Sequence, residues 1–170
     1  MGNGWRDLAG HHGWATTLLL THCQGLDEAT LNATAPGTYG SIIETFRHLV
    51  DAEASYMYRL TGAWPARPWP EDEAVGIDIL LERAALLSET LERFLADDWD
   101  DERLGEAYGN DEVFAVRAGV YLVQIIHHAN EHRAHICSVL GALEHEPPEV
   151  SAWSYALATG RMTITSMSGD

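Results

Sequence analysis

No Pro or Gly occurs between Gly119 and Gly141, so this stretch reads as one uninterrupted helix of about twenty residues and about 30 Å. Four of the nine histidines sit in it: His127, His128, His132 and His135. At about 100° per residue, His128, His132 and His135 fall within about 60° of one another, on a face shared with Tyr121, Gln124 and Val139. The apolar arc of the same helix (Leu122, Ile125, Ala129, Ile136, Leu140) centres about 60–100° away. The imidazoles therefore border a core instead of facing bulk water. His128 and His132, at i and i+4, are close enough to hold one metal ion through ring nitrogens.

Three further amphipathic segments accompany this helix. Trp5 to Gly25 places Leu8, Trp14, Ala15, Leu18, Leu19 and Leu20 at helical intervals. Gly10 and Gly13 weaken that helix by about 1 kcal/mol each against Ala. Its His11, His12 and His22 read as surface or boundary residues without a ligand role. A helical turn near Gly25–Leu31 is followed by a loop, Asn32–Gly40, marked by its Pro-Gly pair. Ser41 with Glu44 three residues on forms a capping box, which starts a second helix running to Leu60 on the stripe Ile42, Ile43, Phe46, Leu49, Val50, Met57 and Leu60. A loop with three prolines carries Trp64 and Trp69, placed to cover one end of the bundle or a pocket mouth, core cover being the preferred reading. A third helix, Asp72 to Ala96, follows with Leu80, Ala84, Leu87, Leu91 and Leu95 on its inner stripe. Leu104–Val113 reads as an irregular connection without strand alternation, and the histidine helix as beginning near Phe114. Ser151 caps a short fifth helix, and the polar tail after Gly160 reads as loose. The economical architecture is all-α: a four-helix bundle over residues 1–160 with a tail at 161–170.

The formal charge of −16, from 10 basic and 26 acidic side chains, repels phosphate backbones and anionic membranes, so nucleic acid and membrane are not expected partners. No apolar run is long enough to span a bilayer, and the first residues lack the order of a signal peptide; the expectation is a cytoplasmic protein. Cys23 and Cys137, both in apolar helical patterns, read as buried free thiols. The acidic run Asp97–Glu102 lacks the alternation and the Gly of a calcium loop and reads as a solvated helix end.

His48 lies about 160° from Phe46, on a face of small residues (Ser41, Thr45, Ala52, Ser55). Such a strip leaves room for a metal, water and substrate; it equally suits a close helix contact. Two familiar metal patterns are absent. A zincin needs Glu directly after the first His, whereas here the order is His128-Ala-Asn-Glu-His132. Di-iron carboxylate bundles need two Glu-x-x-His pairs, and Glu44 and His48 are spaced by four. Glu131, about 60° from His128, is placed to act as a base or to support a ligand.

Three blocks carry a resemblance: Gly40-Ser-Ile-Ile-Glu-Thr-Phe-Arg-His-Leu-Val-Asp-Ala-Glu, His128-Ala-Asn-Glu-His-Arg-Ala-His-Ile, and Leu140-Gly followed by Pro147-Pro-Glu. In order and spacing, over nearly the whole chain, they resemble the DinB-like family of small metal-binding proteins. The resemblance implies an up-down-down-up four-helix bundle, commonly a homodimer, with one divalent ion (zinc or nickel) on His48, His128 and His132. It also implies a small-molecule substrate and a low-molecular-weight thiol co-substrate, in an S-transferase or isomerase reaction. The family's His-x-x-x-His-Arg-Gly-Gln becomes His-x-x-x-His-Arg-Ala134-His135 here. His135, about 20° from His128 but nearly two turns away, supports the site more readily than it ligates. Three neutral imidazoles leave a divalent charge uncompensated and a coordination position open, the arrangement of a catalytic site. The expected function is a metal-dependent enzyme that activates a thiol; the alternatives are a non-catalytic metal-binding or stress-response protein and a metal-dependent hydrolase. The sequence assigns no catalytic residue.

Overall fold

The computed structural model describes residues 4–165 apart from 68, 71–73, 98, 110, 111 and 164. In chain order the elements are α1 (Gly4–Cys23), α2 (Glu28–Leu31), α3 (Ile42–Thr61), α4 (Ile77–Ala96), β1 (Leu104–Gly109), β2 (Glu112–Arg117), α5 (Ala118–Ala142) and α6 (Ala152–Ala158). The third long helix, α4, starts at Ile77 and not near Asp72: Ala74, Val75 and Gly76 are not helical, and Gly76 is its N-cap. Asp72 itself and the last residues of the tail lie outside the described residues. At the near end of that tail, Arg161 forms an ion pair with Asp7 of α1 at 2.9 Å. Among the described residues no helix is long and apolar enough to cross a membrane.

Helix ends follow local chemistry. Ser41 Oγ accepts from the Glu44 N–H while Glu44 Oε2 accepts from the Ser41 N–H at 3.0 Å, so the capping box forms and α3 starts where the sequence places it. The Ser41 N–H and the Ser41 hydroxyl, both donating to Glu44 Oε2, hold the Glu44 carboxyl below its ordinary range. Gly62 ends α3 in the left-handed region at φ 76°, where a side chain would be strained.

The segment expected to be an irregular connection is instead an antiparallel hairpin, paired from Leu104↔Arg117 to Gly109↔Glu112. The histidine helix accordingly starts at Ala118 and not near Phe114. β2 is exposed along nearly its whole length, so neither face has to be apolar and no alternation marks it in the sequence. Backbone and side-chain anchors hold the hairpin in place of burial. Glu106 O accepts from Arg59 Nη1 and from Tyr121 Oη, each at 2.8 Å, and Arg103 donates to Leu60 O near the end of α3.

The four long helices pack as neighbours: α1 on α4 and α5, α3 on α4 and α5. Their core has two apolar parts. One gathers Leu19, Leu20, Phe46, Leu49, Leu80, Leu87, Ile136 and Leu140; the other gathers Met57, Leu60, Leu91, Leu122 and Ile125. Buried polar groups (His12, Thr16, Glu53, His132 and Arg133) lie among these apolar residues on three of the four helices.

The two glycines that weaken α1 on its own serve its packing. A Cβ on Gly10 would overlap the Tyr155 hydroxyl, and one on Gly13 would overlap Ser88 of α4, coming within 2.7 Å of its Cβ. Gly13→Ala should therefore destabilise the protein even though Ala favours a helix by about 1 kcal/mol, because overpacking costs about 1–3 kcal/mol. Urea unfolding should show a lower midpoint for Gly13→Ala, with Ser88→Gly in the same chain recovering part of the loss; a midpoint equal to or above wild type would contradict the contact.

Candidate metal centre

His48 comes from α3, and His128 and His132 from α5. These two helices pack against each other, which turns a pair of imidazoles on one helix into a group of three. His48 Nε2 lies 3.1 Å from His128 Nε2, and His132 Nε2 lies 3.1 Å from the same atom. One ring nitrogen from each residue falls within 4.8 Å of the others. Ligands about 2.0–2.1 Å from a tetrahedral ion stand about 3.3 Å apart, so the two 3.1 Å separations are near ligand spacing, and the group could hold a divalent ion once the His48–His132 pair, within 4.8 Å, is set to the same spacing.

Burial tunes these nitrogens. His132 is buried, and its pKa falls to about 4, first through desolvation and then through the charges of His128, His48 and His135. Desolvation is also the leading cause of the lowered pKa values of His48 and His128. All three lone pairs are therefore free at neutral pH, as ligation requires.

Two tyrosines frame the group. The Tyr39 ring stacks on His48 with centroids 4.3 Å apart and meets His132 edge-on at 4.9 Å, while Tyr56 meets His128 edge-on at 5.7 Å. A cleft of about 570 Å³ opens beside His48, lined by Tyr39, Glu44, Arg47, Asp51 and Trp69. Arg83 covers Trp69 at 3.3 Å and pairs with Asp51 at 3.2 Å. Burial pushes the Asp51 carboxyl up, against the pull of Arg83 and Arg47. Trp69 serves both the core and the cleft wall, since it also packs against the apolar residues beneath.

The remaining histidines divide clearly. His135 stands 5.6 Å from His132, ring to ring, outside the converging group, with its Nδ1 buried and no protein partner for it among the described residues. His132 Nδ1 is in the same position. Glu131 is exposed and acts on His128 and His132 only through its charge. His127 is exposed as well. His11 Nε2 donates to Val150 O at 2.8 Å. His12 corrects the surface reading: it is 1 % exposed and pairs with Glu53, because α1 turns this residue inward between Ala9 and Leu19.

Sequence reasoning passed over Tyr39, Tyr56, His12 and Arg133. Tyr39 lies in a loop, where no periodicity points to a site. Arg133 did carry a signal: on the helical wheel it falls at the edge of the apolar arc of its own helix, about 20° beyond Leu122 and Leu140.

The DinB superfamily model matches residues 12–136, a span that contains all three converging histidines. No curated protein matches the chain.

The depressed pKa values fix a pH dependence. An unfolded chain takes up protons on these imidazoles below about 6.5, whereas folded His132 resists until about 4. The unfolded state then binds more protons, so stability holds above about pH 6.5 and falls as the pH drops toward 4. Urea midpoints of the metal-free protein should decline across that window, and less steeply for His132→Asn; equal slopes for the two chains would contradict the assignment.

Proposed function

This chain belongs to the DinB superfamily, and we propose that it is a divalent-metal-dependent enzyme acting on a small molecule with a low-molecular-weight thiol as co-substrate. The convergence of His48, His128 and His132 carries this reading. When bound, a zinc, nickel or similar ion would supply Lewis-acid charge that lowers the pKa of a thiol or water beside it. Three imidazoles hold such an ion without neutralising it and leave a position for a reactant.

The protein's own groups complete the reading. Tyr39 lies across His48 and the edge of His132, which covers one face of the His48 ring. The cleft beside His48 offers carboxylates (Glu44, Asp51), a guanidinium (Arg47) and an aromatic wall (Trp69), groups that orient a small polar substrate of mixed charge.

Cobalt titration of untagged protein, followed by visible absorption, tests the site. Saturation is expected at about one ion per chain, with affinity reduced about 100-fold or more in His48→Ala, His128→Ala and His132→Ala, beyond the loss typical of residues that merely support ligands. The loaded protein should then consume thiol with at least one member of a panel of electrophiles. Failure to take up cobalt removes the metal reading. Uptake without thiol consumption removes the enzyme reading and favours a protein that only binds metal.

A further inference from the structure

A second polar group lies in the core, and no step above uses it. Among the described residues Glu53 is the one buried carboxylate and Arg133 the one buried guanidinium. Arg133 Nη1 donates to Thr16 Oγ1 at 2.7 Å and to His12 O at 3.3 Å, and Nη2 donates to Asn130 Oδ1. Nη1 also meets His12 Nδ1 at 3.4 Å. A guanidinium has only donors, so His12 Nδ1 is the acceptor in that contact. The imidazole proton is then on Nε2, which donates to Glu53 Oε1 at 3.1 Å. The geometry assigns a directed chain, Arg133 to His12 to Glu53, from α5 through α1 to α3.

Its position along the helices matches that of the imidazole group. Arg133 directly follows His132, Asn130 lies between His128 and His132, and Glu53 is a turn and a half beyond His48. α1 supplies no imidazole to the converging group, yet it ties together the two helices that do. The Glu53 charge also reaches His128, where it opposes the effect of burial. A buried anion that favours a proton on an imidazole favours a metal cation there for the same reason.

We propose that Glu53, acting through His12 and Arg133, is a positioning residue for the three-histidine centre: it holds α3 and α5 at the rotation where His48 meets His128 and His132, and it supplies the negative charge nearest to them in the core. This rests on the metal reading above.

Glu53→Gln separates the role from simple packing, because it keeps the shape and an oxygen acceptor for His12 while removing the charge. The variant should retain its helical circular dichroism, bind cobalt about 10–100-fold more weakly, the loss typical when support behind metal ligands is removed, and show an altered visible cobalt spectrum. Glu53→Asp, which keeps the charge on a shorter arm, should recover part of the affinity. Wild-type affinity and spectrum in Glu53→Gln, whatever its urea midpoint, would overturn the proposal. Should Glu53→Gln not fold, His12→Gln gives the same readout, since its amide can still donate to Glu53 and accept from Arg133 only with altered geometry; wild-type cobalt affinity there overturns the proposal equally. A wild-type chain that takes up no cobalt fails at the earlier step and is recognised by that.

Discussion

Burying Arg133 commits the bundle to surrounding a full positive charge with acceptors. Desolvation lowers its pKa only to about 10, so the guanidinium enters the core charged at neutral pH. An unpaired charge there would cost several kcal/mol. The acceptors come from its own helix (Asn130), from α1 (Thr16 and the His12 carbonyl) and, through the His12 ring, from Glu53 on α3. A one-residue rotation of any of these helices moves a side chain by about 100° and takes an acceptor away. Apolar packing alone tolerates many such adjustments. The charge does not, and it thereby narrows the helix rotations open to the bundle.

The imidazole group depends on that restriction while obeying a different rule. Its nitrogens must converge and stay neutral, and desolvation achieves the second by depressing all three pKa values. The same desolvation would make an added cation costly unless negative charge lay within reach. Glu53 in the core and Asp51 in the cleft provide it, and the formal charge of −16 over the whole chain works in the same direction at longer range. Tyr39 and Tyr56 then enclose the group with rings rather than with further ligands.

How much of this was legible in the sequence depended on whether a feature is local or repeats with a helical period. The capping box at Ser41 and Glu44 is local and was read directly. The imidazoles at 128 and 132 share a face through the period alone. His48 was not decided by its small-residue face, which suits two packings equally; only the resemblance pointed to it, and the contact between α3 and α5 is what brings it beside the others. The hairpin left no trace because β2 buries almost nothing, and the hairpin is held through Arg59, Arg103 and Tyr121. The core network was hidden for a different reason. His12 sits within the apolar arc of its helix and Arg133 at the edge of its own, and the pairing of residues 121 positions apart is a property of the tertiary fold.

That separation has a consequence for how the chain acquires its structure. A chain synthesised only as far as Ala96 has α1, α3 and α4, and with them His12 and Glu53, but not the guanidinium that completes their hydrogen bonding. Contacts across such long loops close slowly, since the closure entropy precedes any reward from the contact. Until α5 is present, His12 and Glu53 on the inner faces of α1 and α3 lack the guanidinium partner and favour water, which weighs against tight packing of those two faces without it. α5 thus carries two of the three imidazoles together with the cation that completes the core's hydrogen bonding, so the centre and the core network both require the docking of the same helix.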